Sequence, residues 1–163
     1  MVNYDYLTKG FIKSHEFVAD EAPIQKTEPS CRWNQNDPLP PSHEELQDEL
    51  RKNFSSIFAS TFNNYAQMEI ACNISEASMR KYLNGGRPIT FLAITKFCIG
   101  AKLTVEKTVE LFKLQGHIIR PDLYRFDAAV IDAVQCGDSI DVFYETCKEC
   151  GLKKILDKLS RNE

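Results

Sequence analysis

The side chains able to do covalent or metal chemistry are few and scattered along the chain. His15, His43 and His117 lie far apart. His43 sits inside a helix-capping motif and His117 just past a helix-ending glycine, so surface positions are expected for them. The phosphate-cradling G-x-x-x-x-G-K, the zinc-binding H-E-x-x-H and the nucleophile turn G-x-S-x-G do not occur. Asp127 and Asp132 are spaced i, i+5, off a common helical face, and are poor partners for paired-carboxylate catalysis. Of the six cysteines, Cys31, Cys72, Cys98, Cys136, Cys147 and Cys150, only the last two fit C-x-x-C, with no second pair at zinc-site spacing. Cys72 and Cys98 lie in apolar, helix-like surroundings where a reduced thiol acts as a small hydrophobe. Inert thiols are the expected reading, a redox or metal role the alternative. No catalysis, no metal and no cofactor are expected.

What remains is binding chemistry, and helices must position it. Ser42-His43-Glu44-Glu45 is a capping box. Leu46, Leu50, Phe54, Ile57, Phe58 and Phe62 then recur at three- and four-residue spacing, predicting a first long helix that Asn63-Asn64 breaks. A short helix is predicted over 65–72, with Met68, Ala71 and Cys72 inward. Asn73 tolerates the left-handed turn that follows. Ser75 caps a third helix over Glu76 to Leu83, with Met79, Tyr82 and Leu83 inward. Thr90 caps an apolar helix over 91–99 closed by Gly100, and Leu103-Thr104 introduces another that Gly116 stops.

Three further helices follow: Asp122 to Cys136, Ser139 to Cys150 with Ile140, Val142, Phe143 and Cys147 inward, and a last one on Leu152, Ile155, Leu156 and Leu159. No stretch alternates with period two beside hairpin turns. The chain reads as all-α. Ahead of this block, Tyr4, Tyr6, Leu7, Phe11 and Ile12 predict a short amphipathic helix. Prolines 23, 29, 38, 40 and 41 then mark a linker from about residue 20 to 41. Trp33 in that linker either packs onto the following domain, the favoured reading, or serves a partner-binding arm. The organisation is an N-terminal arm and linker over 1–41, a helical domain over 42–116 and a helical extension over 117–163.

The chain has 163 residues, 43% hydrophobic and 26% charged, which excludes global disorder and collagen-like repeats. No run approaches eighteen apolar residues, and the first ten lack a signal-peptide profile, so a cytoplasmic protein off the membrane is expected. Net charge is −3. Residues 42–116, with nine basic and eight acidic groups, are the only segment with a positive balance. A strong grip on nucleic acid ordinarily uses a more basic face.

The stretch from Met68 to Leu114 nevertheless resembles the lambda-repressor-like (XRE-type) helix-turn-helix family. The likeness is carried by Asn73-Ile74-Ser75 at the turn, Met79 and Tyr82 inward, Asn84-Gly85 at the exit, and Phe91-Leu92-x-Ile94-x-x-Phe97-x-x-Gly100-x-x-Leu103-Thr104-x-Glu106 over the last two helices. His117 to Leu156 looks like an extension found behind this domain in some bacterial XRE-type proteins. The resemblance implies a five-helix domain and a non-enzymatic transcriptional regulator that reads double-stranded DNA with helix 76–83, as a homodimer on a two-fold site. Ser75, Glu76, Ala77, Arg80 and Lys81 are then the groove-facing residues. Glu76 would accept from cytosine, Ala77 would touch a thymine methyl, and Arg80 or Lys81 would donate to guanine or phosphate. Asn84, Arg87 and the backbone near Thr90 would anchor the strand. A protein partner would use the arm or the extension. The chain departs from the family pattern at Tyr65, in place of a phosphate-binding glutamine, at Glu69, in place of a small residue, and at Leu83, in place of a glutamate. The alternative is a protein-interaction adaptor on the same fold.

Overall fold

The computed structural model describes residues 4–23 and 42–161. Cys31, Trp33 and the prolines from Pro29 to Pro41 lie outside them, and with them the expectations about Trp33 and most of the linker. Among the described residues the chain is all-α: α1 (Lys9–Ser14), α2 (His43–Thr61), α3 (Tyr65–Cys72), α4 (Glu76–Asn84), α5 (Phe91–Gly100), α6 (Val105–Leu114), α7 (Arg125–Cys136), α8 (Ile140–Glu149) and α9 (Lys153–Arg161). No helix among these residues is long and apolar enough to cross a membrane.

Local chemistry sets most of the boundaries. Ser42 and Glu45 close a reciprocal capping box at the start of α2. Asn64, Ser75, Thr90, Thr104 and Ser139 each accept a backbone N–H at the start of α3, α4, α5, α6 and α8. Asn73 takes the left-handed conformation expected of it, at φ 55° and ψ 36°. Three expectations need correcting. Gly100 does not stop α5; it is the last helical residue, and the left-handed turn falls on Lys102 at φ 56°. Val142 is exposed rather than inward, because Ile140, Phe143, Thr146 and Cys147 define the buried face of α8. The helix expected from Asp122 begins at Arg125.

The core is one continuous cluster through arm, middle segment and extension. Its axis is α5, in which every residue from Leu92 to Gly100 is buried, with α3, α6, α7, α8 and α9 packed around it. Phe97 stacks on Phe54 of α2 at 4.2 Å between ring centres. Each fully buried ring of this kind contributes about 1.5–3 kcal/mol. Gly100 is required by proximity. A Cβ there would stand 2.5 Å from the carbonyl oxygen of Ala71 and 2.6 Å from Cys72 Sγ. The absent side chain lets α3 and α5 touch backbone to backbone.

The start of α7 has no side-chain cap. The arm supplies one. The N–H groups of Arg125 and Phe126 donate to the carbonyls of Ala19 and Asp20 at 3.2 and 2.8 Å, while Val18 N–H donates to Leu123 O at 2.9 Å. Ala19 and Tyr124 thereby form an isolated parallel bridge. Arg125 then grips the arm with its side chain. Nε donates to Ile12 O at 3.1 Å, Nη2 to His15 O at 3.4 Å and Nη1 to Asp20 Oδ1 at 2.8 Å, and the guanidinium carbon lies 5.2 Å from the Phe17 ring centre. Leu7 and Ile12 are buried, and α1 packs against α7.

Two substitutions test this architecture. Gly100→Ala should destabilise the protein by about 1–3 kcal/mol through overpacking, and Gly137→Ala, in open space but at φ 66°, by about 1 kcal/mol; urea unfolding measures both. Arg125→Ala should cost about 2 kcal/mol, the scale of a lost charge-assisted bond network, and should speed hydrogen exchange at Val18 and at the first turn of α7.

Candidate nucleic-acid interface

The surface of interest is built from the start of α3, the turn 73–75, α4 and the loop to α5. Asn64 Oδ1 accepts from Gln67 N–H at 2.9 Å, and Gln67 Oε1 accepts from Asn63 N–H at 3.0 Å, so Gln67 is spent on capping α3. Asn73 O accepts from Lys96 Nζ at 3.3 Å, which ties the turn to the buried end of a lysine on α5. Ile74 is buried under the turn. Ser75 Oγ caps α4 through Ser78 N–H at 3.1 Å. Glu69 stands where the resemblance implies a small residue. Its carboxylate reaches across the turn to accept from Glu76 N–H at 3.3 Å, favourable at the positive end of a helix.

Met79 and Tyr82 bury one side of α4, as expected, and Leu83 is half-buried. Glu76, Ala77, Arg80, Lys81 and Asn84 are exposed together on its other side, with Ser75 exposed at its start. Within that row Glu76 and Arg80 hold each other: Arg80 Nε and Nη2 donate to Glu76 Oε1 at 2.9 and 2.7 Å. The bonds to Glu76 keep the guanidinium more firmly charged than an isolated arginine. Its carbon also lies 4.2 Å from the ring centre of Tyr65, the first residue of α3. Tyr65, noted in the sequence only as a departure, is therefore a contact residue. Its role depends on how α3 meets α4, for which one-dimensional spacing carries no signal.

The exit residues behave differently. Asn84 Oδ1 accepts from Gly86 N–H at 2.9 Å and so closes the turn in which Gly85 is left-handed at φ 81°. Arg51 of α2 lies against that glycine and pairs with Asp48 at 2.6 Å. The Arg87 guanidinium carbon lies 5.7 Å from the Tyr82 ring centre. Thr90 is half-buried, and its hydroxyl caps α5 through Ala93 N–H at 3.1 Å. All eight sequence-derived residues thus fall on one stretch from α4 to the head of α5. Ser75, Asn84 and Thr90 also have local structural work.

Elsewhere, His117 is not at the surface as expected. Its ring is half-buried against the edges of Phe91 and Phe112, with Nε2 3.0 and 3.1 Å from the two oxygens of Asp127. Asp127 is buried and also accepts from Arg120 N–H at 2.9 Å, so it pins the loop between α6 and α7. A cavity of about 270 Å³ adjoins this pair. Among the described residues no three metal-ligating side chains converge. Cys72, Cys98 and Cys147 are buried, and burial pushes their thiols up to about 12. Cys150 is buried and also raised, while Cys136 is exposed and raised by partial burial and by neighbouring Asp132. A scan of protein-family models and searches of curated proteins and of solved structures find no match to the chain.

Iodoacetamide at pH 8, read by peptide mass, should modify Cys136 well before Cys72, Cys98, Cys147 and Cys150 in the folded protein. The raised thiols also set a sign for stability. Above the ordinary thiol pKa the unfolded chain loses protons that the folded one keeps, so unfolding free energy should fall as pH rises from about 9 towards 12. Urea midpoints across that range check it.

Proposed function

We propose that this protein is a DNA-binding regulator of the lambda-repressor-like helix-turn-helix type, with α4 entering the major groove as the recognition helix. The observation that carries this reading is the placement of α4. The arm docks on α7 and the extension packs around α5, while Glu76, Ala77, Arg80, Lys81 and Asn84 keep a common exposed edge. A helix presenting a polar edge with its N-terminal turn foremost is what groove reading needs. Lys81 and Arg87 serve phosphates, together with Asn84 and the backbone at Thr90. Because one such helix spans only a few base pairs, the working form is a homodimer on a two-fold site. The reading involves no enzymatic step, metal or cofactor, and it places the protein in the cytoplasm with its DNA.

A second reading, a protein-interaction adaptor on the same helices, has its own support. Arg80 is largely neutralised by Glu76, and Ile70 on α3 is 85% exposed. Neither favours a phosphate-covered surface. Gel shifts on genomic fragments decide between them. In the DNA reading, affinity drops about tenfold or more between roughly 50 and 200 mM salt, as when two or more phosphates are neutralised. The double reversal Arg80→Glu, Lys81→Glu abolishes the shift. Affinity that ignores both salt and reversal overturns the groove assignment and leaves the adaptor.

A further inference from the structure

Arg80 is restrained on two sides. One edge of its guanidinium, Nε–H and one Nη2–H, is bonded to a single oxygen of Glu76, and the group lies within 4.2 Å of the Tyr65 ring centre. A guanidinium has five N–H groups in a rigid plane. Two are spent here. The other Nη2–H and one of the two on Nη1 form the end-on fork, whose spacing matches the O6 and N7 acceptors of guanine in the major groove.

The pair also alters the electrostatics. With Glu76 in contact, Arg80 presents little net charge to a phosphate, so its advantage lies in directed hydrogen bonds rather than long-range attraction. Glu76, in turn, has Oε1 committed twice, so its carboxylate is tied to the guanidinium. The tyrosine matters because a flexible arginine otherwise spends rotamer entropy on reaching a base.

From this geometry we infer that Arg80 is the specificity-determining residue of α4, reading one guanine end-on, and that Glu76 and Tyr65 are positioning residues that hold its fork in plane. This inference rests on the DNA reading above and replaces the separate base-reading role expected for Glu76.

The test is selection of bound duplexes from a randomised double-stranded DNA library by the full-length protein, followed by competition binding with single-base variants of the selected duplex. The wild type should select a fixed guanine. Arg80→Ala should lower the preference for it by about 5- to 150-fold, with the slope of affinity against salt nearly unchanged. Lys81→Ala should instead weaken all duplexes alike and reduce that slope by about one. Arg80→Lys, lacking the planar fork, should behave like Arg80→Ala. Tyr65→Phe should keep the guanine preference and Tyr65→Leu should reduce it, with circular dichroism melts confirming that both fold. Glu76→Ala should relax the preference at that same G·C pair and at no other base pair. If Arg80→Ala leaves base preference intact, or if Glu76→Ala changes preference only at a base pair other than the one Arg80 controls, the assignment to Arg80 is overturned while DNA binding stands. If the wild type enriches no duplex, DNA reading itself fails and takes this inference with it.

Discussion

The structure turns on the burial of α5 from Leu92 to Gly100. A helix that is apolar on every side has no face for water and must be enclosed. Helices before it in the chain, α2 and α3, enclose only part; α6, α7, α8 and α9 supply the rest. Even its polar side chains have been accommodated. Thr95 donates to the Phe91 carbonyl four residues back, and Lys96 runs to the Asn73 carbonyl at the turn before α4. Leaving such groups unpaired in the interior would cost about 1–3 kcal/mol each. Among the described residues, no buried side-chain nitrogen or oxygen lacks a partner. The middle segment and the extension therefore share one interior, and α4 packs on α2 and α3 at its margin with a polar edge exposed.

How much of this could be read from residue order follows the range of each interaction. Helix starts at Ser42, Ser75, Thr90, Thr104 and Ser139 were legible because a cap acts over three residues. The left-handed Asn73 was legible for the same reason. The start of α7 was not, because its cap comes from carbonyls more than a hundred residues earlier. At Gly100 a helix stop and a close approach leave the same letter, and only the Ala71 carbonyl beside it distinguishes them. His117 was expected outside because its partner, Asp127, lies on the next helix and the intervening loop doubles back.

The candidate interface divides along the same line. Its eight residues come from the resemblance and lie between positions 75 and 90, from α4 to the head of α5. Their pairing was not foreseen. Glu76 and Arg80 stand four apart, the spacing at which opposite charges meet on a helix, yet the ring beneath Arg80 belongs to another helix. Glu69 and Tyr65 both reach α4 from α3. Both side chains are, in three dimensions, contacts between neighbouring helices.

The splice between arm and extension has a consequence for synthesis. Asp20 and Arg125 are separated by 105 positions, yet the helix that Arg125 opens relies on the arm for its first hydrogen bonds. At a translation rate of about 5–20 residues per second, the early segment waits roughly 5–20 seconds for its counterpart to leave the ribosome. During that interval Leu7 and Ile12 have no docking surface on α7.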